Sequence, residues 1–174
     1  MLDDVALKGI RTLYSWVLMG LGIAPYRGEL NDKGSGMDEF DGKDTAPHLQ
    51  TGRRGESVAA EYLERNGWEI EAQNFTTDYG EIDIIARRQV VRPAGILVAF
   101  VEVKSRKGAG AFVPHRSVTA RKRKTITRLA RQYANRYGRA NTGYRFDVIG
   151  VDLGENPPVI RHFEGAFDAA GKPY

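Results

Sequence analysis

Asp83 and Glu102 lie in "GEIDIIARRQVVRPAGILVAFVEVKSR", Gly80 to Arg106, inside two apolar, strand-like pieces. Acids are depleted in strands, and a charge buried without a partner is costly. Two such acids need a reason, and shared chemistry is one. Hard divalent cations, Mg²⁺ above all, take oxygen ligands and usually only a few carboxylates plus water. A bound ion of this kind lowers the pKa of its water and stabilises charge on a phosphoryl oxygen. Lys104, two residues beyond Glu102, could position an attacking water and oppose the developing negative charge. The chemistry requires that the elements carrying these groups bring them to one place.

The sequence offers such elements. "LQTGRRGESVAAEYLERNG" reads as a helix ending at Gly67. On its wheel Ala59, Ala60, Tyr62 and Leu63 form one broad face, with Val58 off it. Glu56 lies near the middle of that arc, while Glu61 and Glu64 point away. "WEIEAQNF", "EIDIIAR" and "ILVAFVEVKSR" read as three strands, the first two joined by the turn "TTDYG". Alternation puts Glu81, Asp83 and Ile85 on one face of the second strand and Ile82 and Ile84 on the other. In the third, Val98, Phe100, Glu102 and Lys104 share a face opposite Leu97, Ala99, Val101 and Val103. Both faces are apolar further back, as in a central strand covered on both sides. Asp83, Glu102 and Lys104 can therefore meet near the strand ends, and Glu56 can join them. Taken singly, each has a plainer reading: an ion pair on a strand, a turn aspartate, a first-turn acid favouring the helix dipole. The agreement of wheel and parity favours a shared site.

The next segment points to a partner. The 44 residues from Val103 to Phe146 hold 13 Lys or Arg and no acid. Ile126, Leu129, Ala130, Tyr133 and Tyr137 recur at helical spacing, giving an amphipathic helix capped by Ser117 or Thr119 and ended by Gly138. Its cationic side, with Arg121, Arg123, Lys124, Arg128 and Arg131, and the nearby Arg106 and Lys107, form the expected phosphate-backbone footprint. Lys122 is different, because it falls on the inner stripe and can reach the acidic cleft. The glycines at 108 and 110 would let a nucleic-acid backbone approach closely. "YRFDVIGVD" and "PVIRHFEGAF" complete the sheet as two last strands, with Asp147 beside Ile149 in a structural role.

The whole chain of 174 residues has room for one ordinary domain plus tails. It contains no cysteine, which excludes disulfides and thiolate metal sites and fits a cytoplasmic setting. Residues 1–48 carry five basic and eight acidic side chains, whereas the rest carries 21 and 14. Within the first part, residues 1–27 include the apolar run "LYSWVLMGLGIA". That run is too short to span a bilayer, which takes about 20 residues. An interfacial or loosely docked helix suits it better than a cleaved signal, given Asp3, Asp4 and Pro25. Residues 28–48 read as a flexible acidic linker, with Met37 a candidate start codon. Residues 49–174 form the folded domain.

Helix glutamate, then the Asp of "GEID", then "EVK", then a basic helix is the order of the PD-(D/E)XK, restriction-endonuclease-like superfamily. More closely, "GRRGESVAAEYL", "NFTTDYGEIDIIA", "FVEVKSR", "VTARKRKTI" and "YRFDVIGV" resemble the YraN family of small bacterial proteins, itself similar to archaeal Holliday-junction resolvases. The resemblance spans about Gly52 to Phe167. It implies an α/β fold with an αβββαβ core, a central mixed sheet flanked by helices, and phosphodiester hydrolysis dependent on Mg²⁺, with Mn²⁺ as a substitute. By position, Glu56, Asp83 and Glu102 would be metal ligands and Lys104 the catalytic lysine, and Lys122 matches a lysine of the basic helix. Two departures stand out: "RRQVVRPAG" lengthens the turn before the third strand, and the first 48 residues have no counterpart.

The expected function is a metal-dependent endonuclease acting on DNA, with branched, single-stranded or otherwise non-duplex DNA as the candidate substrate. A homodimer is open, since branched-DNA resolvases work as dimers, but no dimer face is legible. The rival is a nucleic-acid-binding protein that keeps the fold without the chemistry. A membrane-associated accessory protein is the weakest reading.

Overall fold

The computed structural model describes residues 47–92, 94–108 and 113–174. Expectations for residues 1–46, including the apolar run and most of the acidic linker, lie outside the described residues.

Helix α1, Pro47–Arg65, leads into β1, Glu69–Thr77, β2, Gly80–Val91, and β3, Ala94–Arg106. A short helix α2, Pro114–Ser117, precedes α3, Ala120–Tyr137, and strands β4, Thr142–Asp152, and β5, Val159–Phe163, follow. The five strands form one sheet in sequence order. Pairing is antiparallel except between β3 and β4. The parallel pair requires a crossover, and α3 supplies it. This is the expected α/β architecture with a mixed sheet.

Alternating residues of β3 enter two cores. Val98 and Phe100 pack with Ile126, Leu129 and Ala130 of α3, while Leu97, Ala99 and Val101 pack with Ala59, Ala60 and Leu63 of α1. The two helices therefore cover opposite faces, which is why β3 is apolar on both. Val58, expected off the packed face of α1, is half-buried against the same core as its neighbours. The cap of α3 is Thr119, whose side chain accepts a hydrogen bond from Lys122 N at 3.2 Å, and Gly138 ends the helix.

Other local readings change as well. "RRQVVRPAG" is mostly strand: β2 runs on to Val91, which pairs with Ala94. The last segment is strand only to Phe163, after which the chain turns so that Ala166 N donates to Phe146 O at 2.8 Å. Helix α2 was not legible in the pattern. Finally, Ile82 and Ile84 do not share a face, for Ile82 joins the α3 core and Ile84 the α1 core. No helix among the described residues is long and apolar enough to cross a membrane.

Candidate active site

The break in alternation at Asp83 coincides with two irregularities in the sheet: Asn74, opposite it on β1, takes φ +51° and is skipped in the ladder, and β3 parts from β2. The β2–β3 ladder stops at the Ile84–Val101 pair. Beyond it, β2 stays paired with β1 to Gly80, and β3 stays paired with β4 to Arg106. Val103 N thus has no strand partner on the β2 side. Asp83 Oδ2 accepts its hydrogen bond at 2.6 Å instead. A buried backbone N–H left unpaired is costly, so the carboxylate substitutes for a missing strand carbonyl. It is fixed there with its second oxygen turned elsewhere.

That oxygen faces α3. Lys122 Nζ lies 3.7 Å from Asp83 Oδ1 and 3.1 Å from Glu102 Oε2. Glu102 is 1% exposed. Its Oε1 accepts a hydrogen bond from Lys104 Nζ at 2.8 Å, but Oε2 receives none. Lys122 Nζ, 3.1 Å away, is the ion-pair partner of Oε2. A carboxylate buried this deeply is rare in a folded protein unless it is paired.

Glu56 arrives from the opposite helix. Gly55 makes this approach feasible: a Cβ there would stand 2.3 Å from Ser105 Cβ. Ser105 Oγ in turn donates to Thr51 O at 3.0 Å, tying α1 to the end of β3. Burial, then the charges of Glu81 and Glu102, raise the Glu56 pKa above the ordinary carboxylate value despite Arg53 and Lys122. Burial, then Glu102, push Asp83 from 3.8 to about 7, against the Val103 N–H and Lys122. Burial lowers the pKa of Lys122, but Glu102 and Asp83 more than compensate and the net shift is upward. Each carboxylate thus raises the proton affinity of its neighbours.

The structure accordingly brings Asp83, Glu102, Lys104 and Lys122 into contact, with Glu56 in their electrostatic field. Among the described residues, no three acidic or histidine side chains stand close enough together to hold a metal ion in this arrangement. The donors nevertheless suit a hard cation. They are carboxylate oxygens, few in number, and those of Glu102 are buried. Lys122 places its positive charge against two of them.

The expected cationic footprint divides. Lys107, Arg121, Lys124, Arg128 and Arg131 are exposed. Arg131 also reaches back to Ala169 O at 3.4 Å. Arg123 is not on the outer face: its Nε donates to Gly171 O at 2.8 Å and its Nη1 to Val118 O. Arg106 pairs with Asp152 at 2.7 Å. Both are drawn inward because two backbone carbonyls and a carboxylate lie within their reach. Of the glycine-bearing loop, residues 109–112 lie outside the described residues. Asp147 is fully buried, held by Arg145, by His162 Nε2 at 2.8 Å and by Gly165 N at 2.9 Å. It has the expected structural role.

Two residues near the cleft were not singled out from the sequence. Glu81 acts on both Glu56 and Lys122, and its parity with Asp83 was the available signal. Tyr79, at the β1–β2 turn, is 48% exposed beside α3. A large aromatic where small turn residues are usual was its signal.

The profile of the uncharacterised protein family UPF0102, the YraN family, matches residues 55–151. The chain belongs to that family. The match begins one residue before Glu56 and includes Asp83, Glu102, Lys104 and Lys122. A UPF0102 protein of Syntrophotalea carbinolica is 39% identical over 127 residues, 73% of this chain and 98% of its own. One from Rhodococcus jostii is 39% identical over 123 residues, 70% of this chain and 99% of its own. Another, from Geobacter sulfurreducens, is 41% identical over 120 residues, 68% of this chain and 89% of its own. These UPF0102 relatives fix the family and carry no named activity.

Proposed function

We propose that this UPF0102 protein is a metal-dependent endonuclease that hydrolyses DNA phosphodiester bonds. The observation that carries the reading is Glu102, 1% exposed, set beside the buried Asp83 with Lys104 on Oε1 and Lys122 3.1 Å from Oε2. A purely structural ion pair needs one carboxylate, not two buried side by side that raise each other's proton affinity. Asp83 and Glu102 would hold Mg²⁺ or Mn²⁺, with Glu56 completing the carboxylate set. The ion would supply Lewis acidity at a phosphoryl oxygen and a more acidic bound water. Lys104, anchored on Glu102 Oε1, is oriented to hold the attacking water and to oppose charge growing on the phosphate. Lys122 places one positive charge against both carboxylates and offsets part of the rise in the Asp83 pKa. Arg121, Lys124 and Arg128 supply cations for the DNA backbone.

The test offers duplex, single-stranded and four-way-junction DNA to the wild type and to Asp83→Asn and Lys104→Ala, with Mg²⁺, Mn²⁺ or chelator. The expected result is metal-dependent cleavage by the wild type alone. Binding without cleavage in any metal would instead favour a nucleic-acid-binding protein that retains the fold. That rival has one supporting observation, the exposed cations of α3, which need no chemistry.

A further inference from the structure

A hairpin tip pressed onto α3 carries a feature that neither phosphate contacts nor hydrolysis requires. Thr77 pairs with Gly80, leaving Asp78 and Tyr79 as the turn. Tyr79 N donates to Thr77 Oγ1 at 3.2 Å. Gly80 adopts φ +133°, and a Cβ there would stand 2.8 Å from Thr125 Cγ2 of α3. Only glycine permits that conformation and that approach. The tip is therefore seated by backbone fit, and the Tyr79 ring is not needed to fill a core.

The ring has another neighbour. The Arg128 guanidinium lies over it, 3.3 Å from its centroid. Tyr79 and Arg128, with Ala120, Arg121, Lys124 and Thr125, line a groove of about 450 Å³ with no acid among the described residues of its wall. A second groove of about 360 Å³ shares Tyr79, Arg121 and Thr125 and adds Glu81 and Lys122. Lys122 touches Glu102 of the candidate site. Tyr79 thus stands where a cationic groove passes into the cleft.

We propose that the Tyr79–Arg128 stack is a platform for an unpaired nucleobase, so that the substrate is DNA with a single-stranded segment leading into the cleft. An aromatic ring capped by a guanidinium, flanked by cations, matches a base on its phosphate backbone, and base–aromatic stacking is tolerant of sequence. Paired bases present only their edges in the grooves, so an intact duplex cannot use the ring. The proposal rests on the nuclease reading for its substrate, but its test does not require cleavage.

Binding of fluorescently labelled oligo-dT, a duplex of equal length and oligo-rU is measured by anisotropy in chelator. Tyr79→Leu keeps an apolar side chain at the tip and removes the π-face, while Tyr79→Phe keeps both. Tyr79→Leu is expected to weaken oligo-dT by roughly five- to a hundredfold and to leave the duplex within about twofold. Tyr79→Phe should match the wild type on both. Tyr79→Trp gives an independent signal, with oligo-dT quenching emission beyond that seen in the wild type. Unchanged oligo-dT affinity in Tyr79→Leu, or equal losses on single strand and duplex, overturns the platform. Tighter oligo-rU than oligo-dT overturns its assignment to DNA. If the wild type binds no nucleic acid at all, the nuclease reading fails as well. Loss confined to oligo-dT in a protein that never cleaves leaves the platform standing and removes hydrolysis alone.

Discussion

Lys122 Nζ lies 3.1 Å from Glu102 Oε2 and 3.7 Å from Asp83 Oδ1, so one helix lysine is shared by two strand carboxylates. Removing one partner of a fully buried pair costs about 3–5 kcal/mol. The Lys122 side chain is 26% exposed, so Lys122→Met should cost somewhat less, about 2 kcal/mol. If the carboxylates also bind Mg²⁺, the ion should restore much of that loss through binding to the folded state. Melts with Mg²⁺ and with chelator should therefore show a larger magnesium gain in Lys122→Met than in the wild type. An equal gain in both proteins would mean that lysine and metal do not share a site.

Asp83 separates charge from hydrogen bonding. Asp83→Asn keeps an oxygen for the Val103 N–H bond of 2.6 Å and removes the repulsion with Glu102. It should abolish cleavage while leaving the metal-free protein at least as stable as the wild type. Asp83→Ala abandons the N–H and should be less stable than Asp83→Asn by about 1–3 kcal/mol. Equal stabilities for the two variants would remove the carboxylate from its place in the strand.

The sign of the Asp83 shift fixes a pH dependence. Its folded pKa is raised from 3.8 to about 7. Between those values the folded state holds a proton that the unfolded state has released, so stability falls as pH rises through that window. Glu56 is shifted in the same direction. Denaturant midpoints of metal-free wild type should thus decline from about pH 4 to about pH 7, and Asp83→Asn should flatten that decline. An unchanged slope in the variant would count against Asp83 as the titrating group.

The same coupling explains what could be read from sequence. Glu56, Asp83, Glu102 and Lys104 were legible because helix and strand periodicities are properties of the backbone. Lys122 was legible for the same reason, lying one turn before Ile126. The parity of Ile82 was not, because β2 leaves β3 after Ile84 and the β1–β2 ladder skips Asn74 and Asp83, where Asn74 takes φ +51°. Arg123 was misplaced outward because a helical wheel does not contain the carbonyls of Val118 and Gly171. Family membership rests on the motifs together, each of which is weak alone.

Arg123 therefore belongs to a different experiment from its neighbours. Lys124→Ala and Arg121→Ala should each make the log–log salt dependence of DNA binding shallower by roughly one unit per lost phosphate contact, with little change in stability. Arg123→Ala should instead lower the melting temperature, since it leaves two backbone carbonyls without their donor. Salt titrations and melts on the three variants check this. A stable Arg123→Ala with a shallower slope would return that residue to the outer face.

Gly55 tests whether the helix carboxylate is part of the site at all. An alanine Cβ there would stand 2.3 Å from Ser105 Cβ and 2.7 Å from Ser105 Oγ. Relief requires α1 to move away from β3, and overpacking of this kind costs about 1–3 kcal/mol. The movement would also carry Glu56 away from Glu102 and Lys122. Gly55→Ala should therefore lose both stability and cleavage. Ser105→Gly opens the space from the other side, at the cost of its bond to Thr51 O. The double variant should regain more stability than the two single effects predict, as contacting residues do, and should regain cleavage with it. Recovery of stability without cleavage would show that the spacing of α1 and β3 matters for folding only, and that Glu56 has no part in the chemistry.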